Sequence, residues 1–452
     1  MKDEKTLEQS SSWSSIVKDP FLNKIVFFQV FNGLSTGIYN ILIMLYMKFI
    51  DTGLGGNIYL AHYAIYYLVG NLTSSLLIIP AGLFADKFGR KPALVIGAFL
   101  LAANGFIPPF VSLWWQLLPA SLINAVGTAL YSPAQAALIA DVSTGYRREK
   151  SYSVVFFTSI GFTTVGLSIF YLYASIFQAA VATAAYYQLM LIISAMLGLV
   201  AVAPIALLGN IGSFAAKQKE KPPTLPTKAD KKDMFSEVPS ELKRNGVVIK
   251  LLTGNLLIGL GAGFIIPLFT YYWLTVFALT DETVTIISIL GFVGIAAGSL
   301  CTPWLAKHAR FLGRRVGTIV IFQGVSIMCA AYLAFAPFQM NLSIAVVAYV
   351  GRTVLINAIS PLTSALLMDH SPKEKRALYN SLISIAFGVP NSISPLFTAF
   401  IYISVQSVFG FMYPILILVF LYTIADIIYA TIKKADCSLL LARERSKSCS
   451  TS

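Results

Sequence analysis

Apolar positions in this chain come in long blocks rather than in the three- and four-residue rhythm of a surface helix. A block of about 20 apolar residues crosses about 30 Å of hydrocarbon. Blocks of that length predict twelve spans, near 23–48, 56–82, 92–112, 115–141, 151–176, 181–209, 248–275, 284–306, 316–337, 342–368, 377–402 and 406–432. Polar positions gather between them. The expected fold class is an all-α membrane protein with two six-helix bundles, 23–209 and 248–433. A polar linker at 210–247 separates the bundles, and tails lie at 1–22 and 434–452.

Composition agrees: 57% of residues are hydrophobic and 12% charged, where a soluble protein carries roughly 25% charged residues. The net charge of +13 would suit nucleic acid if it were spread over one face, but it is not. Nearly all Lys and Arg residues fall in the tails, the linker or alternate loops, as in Lys87–Lys91, Arg147–Lys150, Lys307–Arg315 and Lys373–Arg376. The intervening loops carry none. That alternation is the positive-inside pattern, and it predicts both termini on the cytoplasmic side of a cell membrane. Membrane lipid is the expected partner, and nucleic acid is excluded. The first 20 residues lack the apolar core of a cleaved signal, so the first span is expected to stay as a permanent helix. Four scattered Cys and three His (His62, His308, His370) offer no ligand spacing, so neither metal nor cofactor is expected.

The chain repeats itself. Ser132-Pro133 to Asp141 at the end of the fourth span matches Ser360-Pro361 to Asp369 at the end of the tenth, 228 residues later. Gly313-Arg314-Arg315 echoes Gly89-Arg90-Lys91 at an offset of 224. Agreement of the two offsets indicates a duplicated chain. The second loop is degenerate, with Lys307 near the place where an acid is expected.

The first loop reads Gly82, three residues, Asp86, Lys87, one residue, Gly89, Arg90, Lys91. It lies between two apolar runs, where Gly89 permits the left-handed backbone of a tight reversal. This stretch resembles the signature loop of the major facilitator superfamily, and the likeness covers nearly the whole chain. The resemblance implies a secondary transporter in which spans one, four, seven and ten line a cavity. It also implies that Gly82, Asp86, Lys87, Gly89, Arg90 and Lys91, with Asp141, Arg147 and Arg148, latch the cytoplasmic gate. There are departures. Ile123 stands four residues before Gly127 where the family often keeps an Arg, and Gly161 and Gly166 lack the proline of drug antiporters. No acid lies deep in spans one, four or seven. These departures count against a proton-driven drug exporter.

The solute-binding candidates on the cavity spans are Asn32, Asn40, Asn124, Gln135, Asn255, Trp273, Arg352 and Asn357. His62, Tyr63, Tyr66 and Tyr67 near the outer end of the second span are expected first in an interfacial aromatic belt and second in a gate. Gly33 and Gly37 form a small-xxx-small pair suited to close helix packing. Glycines and Pro267 in the seventh span predict a bendable helix. Arg352 falls near the midplane, where a charge is costly unless it meets a cavity or a partner, and Asn124 is its counterpart in the other half. An anionic group on a solute would suit its planar fork; bonds to backbone carbonyls or amides are the structural alternative. Asp426 in the last span is the deepest acid and so the candidate for a coupling proton or ion; its place near the cytoplasmic surface, where it would be hydrated or paired, is the plainer reading. The expected activity is alternating-access transport of a small solute, an organic anion foremost, by a monomer. A proton-coupled multidrug or sugar transporter, or a sensor built on the same fold, is the alternative. An enzyme is not expected, because no nucleophile is set beside a base or acid partner.

Overall fold

The computed structural model describes residues 20–51, 58–142, 145–176, 184–207, 246–308, 315–339, 341–370, 376–405 and 409–449. In the first part of the chain these are α1 (Pro20–Ile50), α2 (Ile58–Phe88), α3 (Arg90–Ala103), α4 (Leu118–Val142), α5 (Gly145–Ile176) and α6 (Ala184–Ala206). The second part holds α7 (Gly246–Ile265), α8 (Phe269–Val276), α9 (Asp281–His308), α10 (Arg315–Gln339), α11 (Leu342–His370), α12 (Arg376–Val405) and α13 (Phe409–Cys449). Among the described residues, eleven helical stretches are long and apolar enough to cross a membrane. The 25-residue α4 stands where the fourth span was expected.

Among the described residues two spans are interrupted, the seventh at a proline and the third at Asn104-Gly105, ahead of Pro108 and Pro109. The expected seventh span is α7 and α8 joined by a 3-10 turn, Ile266–Leu268, that contains Pro267. Proline has no N–H to give the preceding turn, so the helix must break or bend there. The expected third span is shorter than its apolar run. Helix α3 ends at Ala103 and the chain continues in 3-10 turns through Pro108 and Pro109.

Packing follows one plan in both parts. Helix α1 lies on α5 and α6, α4 on α2 and α3, and α3 on α6. In the second part α7 lies on α12 and α13, α11 on α9 and α10, and α10 on α13. The two parts meet along α2 with α12 and along α5 with α9.

Small residues make these approaches possible. A Cβ at Gly33 or Gly37 would run into the backbone of α5 at Ser159 or Thr163, and one at Gly259 or Gly263 into α12 at Phe387 or Asn391. Side chains of α12 then strap the glycine-rich helix: Ser394 donates to the Leu260 carbonyl at 2.8 Å, and Asn391 and Thr398 to those of Gly259 and Phe264.

The apolar cores show how the two parts are joined. One large core draws on both, from Ile38–Met47 and Tyr59–Tyr66 to Leu268–Trp273 and Phe411–Tyr422. Each part also has a core of its own: one around Leu22, Leu94 and Leu138, the other around Val248, Leu366 and Ile432. The shared core lies toward the end of the helices marked by Asp51. The separate cores lie toward the opposite end, where α2 meets α3. The two parts are thus fused at one end and parted at the other.

At the α2–α3 turn Gly89 has φ 98° and ψ 151°. That is not the left-handed helical well expected from the sequence, but a region that is essentially glycine's alone. A Cβ there would meet only Pro92, at 3.6 Å, so glycine is required by its dihedral angles and not by space.

Candidate functional site

Between the two parts lies a cavity of about 480 Å³. Helix α1 supplies Tyr39 and Asn40, α2 Tyr63, Tyr66, Tyr67 and Asn71, and α4 Ser121, Asn124 and Thr128. From the other part come Ile266, Pro267 and Phe269 at the broken helix, Trp273, and Tyr349, Arg352, Thr353 and Asn357 on α11. These helices supply it because their other faces are committed to packing: α1 turns Gly33 and Gly37 to α5, which leaves Tyr39 and Asn40 for the cavity.

The Asp51 end is sealed by aromatic rings. Tyr271, Tyr272 and Trp273 are almost wholly buried. The Tyr271 hydroxyl donates to the Met44 carbonyl at 3.1 Å, across the two parts. The rings of Tyr59 and Tyr63 pack against Tyr271, with centroids at 4.8 and 5.8 Å. Two further contacts cross between the parts, Tyr67 Oη to Asn391 Oδ1 at 2.8 Å and Lys48 to Asp281 at 3.9 Å. Beside this seal His62 meets Asp51 at 2.8 Å and stacks on Trp114. Away from the seal Asn40, Asn71 and Thr128 line the cavity and are exposed.

The wall is hydroxyl and amide. Tyr39 and Tyr66 share a hydrogen bond of 2.8 Å, and Ser121 donates to the Tyr66 carbonyl. Asn357 and Thr353 bond back along α11. Among the described residues Arg352 is the only Lys, Arg, Asp or Glu in the lining, and it is 2% exposed. Its Nη2 donates to Tyr422 Oη at 3.4 Å, and its Cζ lies 5.9 Å from the Phe269 ring centre and 5.8 Å from that of Tyr422. Its Nε has no partner, and among the described residues no carboxylate pairs with it. The cation is held by two aromatic rings and one hydroxyl.

Of the eight solute-binding candidates, Asn40, Asn124, Trp273, Arg352 and Asn357 line the cavity. Asn32, Gln135 and Asn255 do not. Asn255 is turned to Tyr429 Oη, at 3.2 Å, and Gln135 has a buried Nε2 without a partner. None of the three is among the residues that line the cavity. Asp426 is also outside the lining. Of the loop residues, Gly82 lies in α2, Gly89 makes the turn, and Arg90 and Lys91 open α3. The side chains of Asp86, Lys87, Asp141, Arg147 and Arg148 lie outside the described part of the structure.

The tyrosines correct the first of the two expectations drawn for them from the sequence. Tyr63 and Tyr66 are buried at the cavity wall and seal, not in a belt at the membrane surface. Sequence reasoning also missed Tyr39 and Tyr422, whose hydroxyls meet Tyr66 and Arg352, and Tyr349, whose ring packs on Phe269 and Trp273. The signal available was the spacing of Tyr59, Tyr63, Tyr66 and Tyr67, which puts all four on one face of a helix.

A bundle of membrane-crossing helices around a central polar cavity, closed at one end, defines a membrane transporter and not an enzyme. Residues 25–358 match the family model for the Major Facilitator Superfamily, and the chain belongs to that superfamily. Solved structures with the same fold include a D-xylose-proton symporter, at 15% identity and TM-score 0.72, over 90% of this chain and 97% of that one. Another is the nucleoside transporter NupG, at 14% identity and TM-score 0.66, over 90% and 99%. A bacterial homolog of the human lysosomal transporter Spinster, inward-facing and occupied, has TM-score 0.63 at 12% identity, over 92% and 98%. Among curated proteins, multidrug resistance protein MdtH of Proteus mirabilis (strain HI4320) is 30% identical over 74 residues. That stretch covers 16% of this chain and only 18% of that protein.

Proposed function

We propose that this chain carries a small polar solute, rich in hydroxyl or amide groups and of the sugar or drug type, by alternating access. The observation that carries the proposal is the pairing of one shared core with two separate ones around a hydroxyl-lined cavity. Two bodies fused at one end and parted at the other are one half of a rocking cycle. The bodies are the six-helix bundles 23–209 and 248–433, twelve spans in all, which the repeated packing plan supports. In this state the cavity opens toward the end where α2 meets α3. By the positive-inside pattern that end is cytoplasmic, along with both termini, and the membrane is the cell's own. Asp86, Lys87, Gly89, Arg90 and Lys91, with Gly82, Asp141, Arg147 and Arg148, close it in the other half of the cycle. The carrier acts as a monomer.

The solute class follows from the wall. With tyrosine, asparagine, serine and threonine around it and one cation set back among aromatic rings, the cavity suits an uncharged polar molecule. Relatives named for a sugar, a nucleoside and drugs lean the same way. Counterflow in proteoliposomes should show exchange of an unmodified solute from a panel of pentoses, hexoses, nucleosides, amphipathic drugs and organic anions. Absence of exchange across the panel, or chemical change of the solute, would overturn the carrier reading.

An organic anion is the second reading, and Arg352 alone favours it, through its unpartnered Nε. Arg352→Lys would then weaken apparent affinity by loss of the fork geometry, and Arg352→Gln would weaken it more. Unchanged affinity in Arg352→Gln rejects the anion.

A further inference from the structure

The direction of one hydrogen bond in the cavity wall is fixed from outside the cavity. Tyr67 on α2 lines the cavity, and its hydroxyl meets Asn391 Oδ1 on α12 at 2.8 Å. Asn391 is 8% exposed and is not among the lining residues. The nitrogen of its amide meets the Gly259 carbonyl on α7 at 3.5 Å. A carbonyl can only accept, so the amide nitrogen must face Gly259 and the amide oxygen must face Tyr67. That oxygen can only accept as well. The one hydrogen of the Tyr67 phenol is therefore committed to Asn391, and what it has left for the cavity is lone pairs.

Close packing holds this arrangement. A Cβ at Gly259 would run into the Phe387 backbone, one at Gly263 into that of Asn391, and one at Gly388 into Ser75 on α2. Helix α12 thus touches both α7 and α2 within about one turn of Asn391. Other hydroxyls of the wall are also committed as donors. Ser121 gives its hydrogen to the Tyr66 carbonyl at 2.8 Å, and Thr353 gives its own to the Tyr349 carbonyl at 2.7 Å. Both of those bonds stay within one part of the chain, whereas the bond from Tyr67 crosses to the other.

We propose that Tyr67 selects a solute that donates a hydrogen bond to it, and that Asn391 is the positioning residue that imposes this choice. A solute hydroxyl or N–H that reaches Tyr67 Oη finds an acceptor whose own bond is already made. Donation to that oxygen polarises the phenol and strengthens the bond it gives to Asn391. An ether, a fluorine or a carbonyl at the same place sets lone pairs against lone pairs. It can be accommodated by turning the phenol hydrogen away from Asn391, which strands a buried amide oxygen. Solute choice is thereby tied to a contact between the two parts: a donor tightens it and an acceptor opens it. The inference rests on the carrier reading and narrows its polar solute to one with a donor at this point.

Two measurements on the reconstituted full chain test it. Infrared spectra with ring-labelled tyrosine, taken as parent minus Tyr67→Phe, give the C–O stretch of Tyr67, which senses whether the phenol donates. The stretch should move in Asn391→Leu and hold in Asn391→Asp, which keeps an acceptor at that place. Asn391→Ala serves if the leucine variant fails to fold. Counterflow is run with D-xylose, D-glucose and uridine, each beside its monodeoxyfluoro forms, in which fluorine replaces one hydroxyl and cannot donate. Fluorine at one position should lower apparent affinity roughly three- to tenfold in the parent and far less in Tyr67→Phe. In Asn391→Leu the same loss should shrink, because the freed hydroxyl can turn and donate, and in Asn391→Asp it should persist. A Tyr67 stretch that ignores Asn391→Leu overturns the proposal, and so does a fluorine loss equal in the parent and Tyr67→Phe at every position. A stretch that moves as expected in a protein that exchanges none of the three probes leaves the committed hydroxyl standing. It removes the reading of the chain as a carrier of hydroxyl-bearing solutes instead.

Discussion

Gly33 and Gly37 press α1 onto the backbone of α5, and Gly259 and Gly263 press α7 onto that of α12 in the same manner. At the cavity the two halves part company. Where the first half offers the Asn124 amide, the second offers the Arg352 guanidinium. The two parts share a plan of backbone contacts and differ in the side chains at the cavity. Packing tolerates little change where two backbones touch, whereas a water-filled wall accepts many side chains.

The sharpest way to break the comparison is at the glycines. Gly37→Leu and Gly263→Leu each push a branched side chain into a neighbouring backbone, and overpacking of that kind costs about 3 kcal/mol or more where the obstacle cannot move. Thermal unfolding in one detergent should show comparable large losses for both. A Gly263→Leu protein as stable as the parent would mean that the two halves are not packed alike.

The next effect is at the cavity, where the halves differ. Arg352→Asn makes them alike and removes a charged hydrogen bond worth about 1.5–3 kcal/mol. If the solute meets the guanidinium, apparent affinity falls by roughly ten- to a hundredfold. Asn124→Ala, which removes a neutral donor and acceptor, should change affinity less, by about 1 kcal/mol. Counterflow titrations of the two variants side by side measure the asymmetry directly.

A smaller loss is expected at the α2–α3 turn. Gly89→Ala forces a side chain onto dihedral angles that alanine avoids, at about 1–2 kcal/mol, with a matching fall in unfolding temperature. Smallest of all is Lys48→Ala. The ion pair with Asp281 is long and partly exposed, so its removal should cost below about 1 kcal/mol and leave Tm almost unchanged.

The spans were legible because twenty-odd apolar residues in water have few alternatives to a membrane. The breaks at Pro267 and the tight approach of Gly33 and Gly37 were legible too, for both follow from what a residue lacks. The cavity was legible only in part. Asn40 and Asn32 are both polar amides on α1, two turns apart, and nothing in their spacing says that one meets the cavity and the other does not. That is decided by the tilt of whole helices. Tyr63 and Tyr66 were misplaced for a related reason. A tyrosine near a helix end suits a membrane surface and an inter-helix seal equally well, and only the position of α8 tells them apart.

The seal at the Asp51 end has a consequence for ionic strength. It is built of tyrosine and tryptophan rings, whose contacts salt does not screen, with one long ion pair at its rim that salt weakens. The opposite end carries its charges at the α2–α3 turn, with Asp86 and Lys87 at the end of α2 and Arg90 and Lys91 at the start of α3. There the Debye length falls from about 10 Å at 0.1 M to about 3 Å at 1 M. If the charges at the α2–α3 turn close that end as proposed, salt acts on the two ends unequally, loosening that closure while leaving the one made of rings in place. A concentrated electrolyte should hold the protein in the state described here, and a dilute one should release it.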